Sequence, residues 1–181
     1  MPFEGTTQTR GAPSKTNMTQ VLAETIIMVA LSSALYMIKL FTFPQGGSIT
    51  LGSMTPIFVL SFRRGPKVGM VAGACLGLII VVIEPFIYNP FQFLLDYPLA
   101  FGALGIACLL RSWPLIGVGV GIGGRFVCHF LSGVLYFRSF TPVGQSYIVY
   151  SATYNASYLL PELAISAVVV FILARRHILT A

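Results

Sequence analysis

The sequence predicts an all-α polytopic membrane protein, a six-helix transmembrane bundle with both termini cytoplasmic, and three observations lead there. Of 181 residues, 56% are hydrophobic and only 9% charged, against about 25% charged in soluble domains. The apolar residues gather into six runs bounded by charges or turn residues, and the cations sit at the ends of those runs. At about 20 residues per span, the length holds six helices and no separate soluble catalytic domain.

Residues 1–18, MPFEGTTQTRGAPSKTNM, are polar and rich in Gly, Pro and Thr, without a cleavage-like pattern after an apolar core. They read as a disordered cytoplasmic tail ahead of a 19–181 transmembrane domain. The first run, VLAETIIMVALSSALYM, predicts a helix over 19–41. The second, ending in MTPIFVLSF, predicts one over 49–62, short enough to be tilted or partly re-entrant. RRGPK separates it from a helix over 67–88; YNP and RSW bound the fourth, 91–110; the fifth covers 114–137; RSFTPVGQ leads to the sixth, 147–174. With the N-terminus inside, Arg10, Lys15, Arg63, Arg64, Lys67, Arg111, Arg175 and Arg176 lie inside and Lys39 and Arg138 outside. Eight cations against two set the expected orientation in a prokaryotic cell membrane. The same placement accounts for the net charge of +6 without a nucleic-acid-binding patch.

Within the fourth run, QFLLDYPLAF places Asp96 and Tyr97 among residues suited to lipid. By helical rise Asp96 lies about 8 Å below the outer end of its span, and His129 and Asn155 each about 12 Å below theirs. Polar groups at such depth cost several kcal/mol unless they face partners or a water-filled cavity. With Tyr97, Tyr150 and Tyr154 they describe a pocket opening outward, with an anion and aromatic walls, which suits a flat organic cation. His129 shares a helix face with Arg125 and Gly133, and Gly133 leaves room for a flat ligand against the imidazole. Arg125 and Glu162 fall deepest and are expected to pair with each other; Asp96 with Arg125 is the competing structural pair. An Arg125, Glu162 and His129 relay would make a stand-alone ion-coupled carrier, the rival from another class.

Other motifs carry less. Cys75, Cys108 and Cys128 lie in apolar runs without metal or disulfide spacing. Gly119, Gly121 and Gly124 form GxGxxG inside a span, where helix packing explains them better than a dinucleotide. Walker A, HExxH and GxSxG sequences are absent, so no enzymatic activity, cofactor or metal is expected. Ala30 and Ala34 make a small-residue stripe, suited to internal packing or to another membrane subunit.

The segments FPQGGSITLGSMTPIFVLSFRRG, FLLDYPLAFGALGI, RFVCHFLSGVLYF and YSATYNASYLLPE resemble the thiamine-specific (ThiT-type) substrate-binding S components of energy-coupling factor (ECF) vitamin transporters. The resemblance implies a six-helix bundle holding thiamine near the outer face, with Asp96 and Tyr97, then Arg125, His129, Gly133 and Phe137, then Tyr150 and Asn155 around it. It also implies a lid that includes Gln45 and Ser48, and contact of Ala30 and Ala34 with the ECF transmembrane coupling subunit, with ATP hydrolysed by two ATPase subunits on other chains. Asp96 stands where other members carry Glu, and Phe137 where they carry Trp. An S component for another vitamin or a thiamine precursor is the nearer alternative.

Overall fold

The computed structural model describes residues 18–179, so the tail expected over 1–17, with Arg10 and Lys15, lies outside the described residues. Among the described residues six helices of ten residues or more form, α1 (Met18–Met37), α2 (Thr55–Arg64), α3 (Pro66–Ile83), α4 (Pro90–Leu110), α5 (Pro114–Tyr136) and α6 (Tyr147–Arg175). All but α2 are long and apolar enough to cross a membrane.

Three boundaries differ from expectation, each for a local reason. The first helix ends at Met37, and Lys39–Thr42 becomes strand β1, paired antiparallel with β2 (Ser48–Thr50), in place of a helix to residue 41 and a loop. Gly46, at φ +87°, supplies the left-handed residue of the turn that closes through Gly46 N–H to Phe43 O. The second helix starts at Thr55 rather than 49, because residues 48–50 are spent on that hairpin. The third stops at Ile83, since Glu84 precedes Pro85 and a residue before proline is pushed out of the helical region; its φ is −134°.

α2 spans about 15 Å, half of the hydrocarbon thickness. Every residue from Thr55 to Phe62 is buried, and Phe58, Phe62, Ile57 and Leu60 are among the largest fully buried side chains. An apolar run without a polar face has to be surrounded by other helices, and here α1, α3, α4 and α6 surround it. α1 is its opposite: Leu22, Ile26, Ile27 and Leu31 are exposed on it, as befits lipid.

α3 and α4 approach backbone to backbone. A Cβ on Gly73 would lie 2.1 Å from Phe101 O, one on Gly77 2.4 Å from Tyr97 O, and one on Gly105 2.1 Å from Met70 N. Gly69, Gly73 and Gly77 recur every four residues, a small-residue stripe along the α3 face that meets α4. In the GxGxxG run, Gly121 and Gly124 do pack against α4, at Leu104 and Ala103, while Gly119 meets nothing within 4 Å.

Candidate functional site

α4 is irregular where the opening sequence motif falls. Pro98 has no N–H to give the preceding turn, and Leu95–Leu99 widens into a π-turn with Pro98 inside it. That widening carries Asp96 and Tyr97, and below it the helix tightens to 3-10 geometry over Ala103–Leu110. Asp96 and Tyr97 line a cavity of about 420 Å³ at the end of the bundle that holds the β-hairpin and the loop 84–89.

All eleven residues singled out for binding line this one cavity: Gln45, Ser48, Asp96, Tyr97, Arg125, His129, Gly133, Phe137, Tyr150, Tyr154 and Asn155. The side chains engage one another in a defined order. Arg125 Nε donates to His129 Nε2 at 3.2 Å, and a guanidinium has only donors, so Nε2 must accept. The ring hydrogen then sits on Nδ1, which donates to Asp96 Oδ1 at 2.9 Å. Asp96 Oδ2 accepts from Gln92 Nε2 and from Ser132 Oγ, both at 2.7 Å. Of the roughly four acceptor positions of a carboxylate, three are filled by protein, and the free one is on Oδ1.

The expected Arg125–Glu162 pair does not form, and neither does a direct Asp96–Arg125 pair. No Arg125 ion pair occurs among the described residues; the guanidinium instead meets Met54 Sδ at 2.9 Å and lies over the Phe101 ring at 4.0 Å. Glu162 Oε1 accepts from both Thr50 N and Thr50 Oγ1, which ties β2 to the middle of α6. The polar backbone of a short hairpin inside the bundle needs such a partner, and it claims the carboxylate before the arginine can.

Aromatic residues build the walls. Phe86 stacks on Phe137 at 5.6 Å and 28°, with Tyr88 beside it at 6.1 Å. Tyr150, Tyr154 and Tyr158 recur every four residues on α6 and pack ring against ring. The same face holds the hairpin: Tyr150 Oη and the Gln45 amide exchange hydrogen bonds at 2.8 and 2.9 Å, and Gly47 N donates to Tyr154 Oη at 3.0 Å. Gly133 has a packing role beside the expected one. A Cβ there would fall 2.2 Å from Ser151 Oγ, so the glycine lets α6 approach α5 as well as bordering the cavity. Asn155 accepts from Tyr158 Oη at 2.7 Å and donates to Ser151 O at 2.8 Å.

A second carboxylate, Glu84, borders the cavity and is bound by Lys39 Nζ and by Tyr36 Oη. Partial burial by itself would raise the Glu84 carboxyl; the hydrogen bonds from Lys39 and Tyr36 and the charge of Lys39 outweigh it and hold the group below its ordinary value. Ala30 and Ala34 lie on the exposed face of α1, away from the bundle interior.

Sequence reasoning missed Gln92, Ser132, Glu84, Phe86 and Tyr158. A signal existed for three of them: Gln92, Ser132 and Tyr158 are each one helical turn from residues singled out, Asp96, His129 and Tyr154. Phe86 and Glu84 had none, since the run to 88 read as helix.

Comparison with known proteins agrees with this architecture. A family model described as "Thiamine transporter protein (Thia_YuaJ)" matches residues 22–180. The thiamine transporter ThiT of Bacillus subtilis is 37% identical over 171 residues, covering 84% of this chain and 88% of that protein. ThiT of Lacticaseibacillus paracasei is 27% identical over 173 residues, covering 84% and 86%. A solved structure of ThiT from Listeria monocytogenes superposes with a TM-score of 0.81 over 90% of this chain and 98% of that one, at 22% identity, which speaks to the fold.

Proposed function

We take as premise that the chain belongs to the thiamine transporter protein family, a family of multi-pass cell-membrane proteins, and propose that its cavity binds thiamine. The observation that carries this is the Asp96 carboxylate: partly buried among three donors, with one acceptor position free and rings of Phe86, Phe137 and Tyr158 lining the same cavity. A fixed anion in a partly desolvated aromatic site favours a flat cation, and the amino-pyrimidine supplies the donor that the free Oδ1 position lacks. Tyr97, Arg125, His129, Gly133, Tyr150, Tyr154 and Asn155 shape the same site, and the Gln45 and Ser48 hairpin covers it.

The chain acts as the S component of an ECF transporter, with no enzymatic activity of its own. The cavity faces outward and both termini lie inside. Support for that orientation comes from Arg63 and Arg64, which pair with Glu24 at the bundle end opposite the cavity, while Lys39 stands at the cavity end. A coupling subunit would meet the exposed Ala30 and Ala34 face of α1, and ATP would be hydrolysed by partner ATPases.

Calorimetric titration of the detergent-purified chain with thiamine tests the binding. Tight binding is expected, weakened by about 1.5–3 kcal/mol in Asp96→Asn, the scale of a hydrogen bond to a charged group. A folded wild-type protein that ignores thiamine would refute the reading.

A further inference from the structure

Gln92 is a fully buried amide one turn before Asp96, and no part of the proposed binding uses it directly. Its nitrogen donates to Asp96 Oδ2 at 2.7 Å and to Phe86 O at 3.1 Å, and its oxygen accepts from Tyr88 N at 2.9 Å. Both amide hydrogens are therefore committed, one to the carboxylate and one to the loop 84–89. Tyr97 grips the same loop from the next position along the π-turn, donating to Glu84 O and accepting from Phe86 N, each at 3.1 Å. That loop has no secondary structure of its own. It nevertheless carries Phe86, whose ring lies against Phe137.

We propose that Gln92 is a positioning residue that sets two halves of the binding site at once, the orientation of the Asp96 carboxylate and the placement of the Phe86 ring. The proposal rests on the thiamine reading of the cavity. Without the amide, Asp96 keeps His129 and Ser132 but loses the donor that fixes Oδ2 from the α4 side, and the carboxylate is free to rotate its open lone pair away from the ligand. At the same time Phe86 O and Tyr88 N lose their shared partner, and the aromatic wall loosens. Ser132 and His129 both lie on α5 and cannot hold the loop, so neither replaces Gln92 in the second role. Other charged or titratable groups around the carboxylate are Arg125 and Cys128 on α5, Tyr158 on α6 and Tyr97 on α4 itself, none of which hydrogen-bonds Asp96.

The test is a double-mutant cycle read by thiamine titration of the full chain, with a thermal melt of each ligand-free variant. Gln92→Ala in the wild-type background is expected to weaken thiamine by about tenfold or more, the factor for a hydrogen bond to a charged group. In an Asp96→Asn background the same change should cost clearly less, because the part of its effect that passes through the carboxylate is already gone. Gln92→Glu, of the same size, gives the second reading. Set against Asp96 it places two anions side by side and should weaken binding more than Gln92→Ala does. Combined with Asp96→Asn it returns a negative charge and a partner to that position, and should recover part of the lost affinity. An equal loss from Gln92→Ala in both backgrounds, or a Gln92→Glu effect that ignores residue 96, would overturn the positioning role. Wild-type protein that fails to bind thiamine would overturn the cavity reading itself, a result distinct from either.

Discussion

The two ends of the bundle are built on opposite economies. Where α3 meets α4 and α4 meets α5, side chains are removed: Gly69, Gly73, Gly105, Gly117 and Gly121 let backbones touch, and Gly117 would put a Cβ 2.3 Å from Ala107 O. At the cavity end, beyond the close approaches at Gly77 and Gly133, the hairpin and loop 84–89 fill the perimeter, and the contacts are mainly hydrogen bonds and ring edges. Close packing without side chains leaves nothing that a ligand could displace. An open end lined by polar groups that are mostly, but not completely, satisfied leaves one place for a ligand to complete the set. The difference teaches that in this protein the backbone-to-backbone packing and the proposed binding cavity lie mainly at different ends of the bundle, so most substitutions should act on either stability or binding.

The sharpest way to break that separation is in the close-packed half. Gly73→Ala and Gly105→Ala should each lower stability by about 1–3 kcal/mol or more, since the new methyl meets backbone that has nowhere to go. Gly123→Ala, whose methyl meets nothing within 4 Å, is the control and should leave the melting temperature unchanged or slightly raised. If all three variants melted alike, the glycine contacts would not be the basis of that half's rigidity.

Glu162 joins the two halves and comes next in size. Glu162→Ala leaves Thr50 N without its acceptor and the Thr50 hydroxyl with Ser53 Oγ alone, at about 1–3 kcal/mol, and hydrogen exchange at the Thr50 amide should accelerate. Glu162→Gln retains an acceptor oxygen and should lose less, so the pair of variants distinguishes an anchored hairpin from a general packing loss.

Phe137→Ala should weaken thiamine by up to about tenfold, the range of one aromatic pair, with a smaller change in melting temperature. An unchanged affinity would remove Phe137 from the site and leave Phe86 without its stacking partner for no functional reason.

The smallest expected effect is a pH dependence at the mouth. Because the Glu84 carboxyl is held below its ordinary value by Lys39 and Tyr36, its contribution is present above the ordinary carboxylate range and is lost as pH falls through the lowered value. Melting of the wild-type chain should therefore decline on acidification more steeply than that of Glu84→Gln. Parallel curves would show that the Lys39 contact is a surface pair of no thermodynamic consequence.

Much of this was readable before any fold was known. Charge scarcity and six apolar runs determined a membrane bundle, because hydropathy is a sum over local residues and needs no partner. Asp96, His129 and Asn155 could be placed in one layer by counting helical rise, with Tyr150 and Tyr154 assigned to the same layer. Only the tertiary structure decided who meets whom. Arg125 and Glu162 have the same depth and opposite charge, yet a short hairpin takes the glutamate through Thr50 and leaves the arginine to His129, Met54 and Phe101. The hairpin itself, the π-turn at Pro98 and the loop that brings Phe86 to Phe137 likewise depend on backbone approaches between segments far apart in sequence. Composition and periodicity settle which residues must leave lipid or water; they are silent on partners, because a buried polar group is satisfied by whichever donor or acceptor the fold delivers to it.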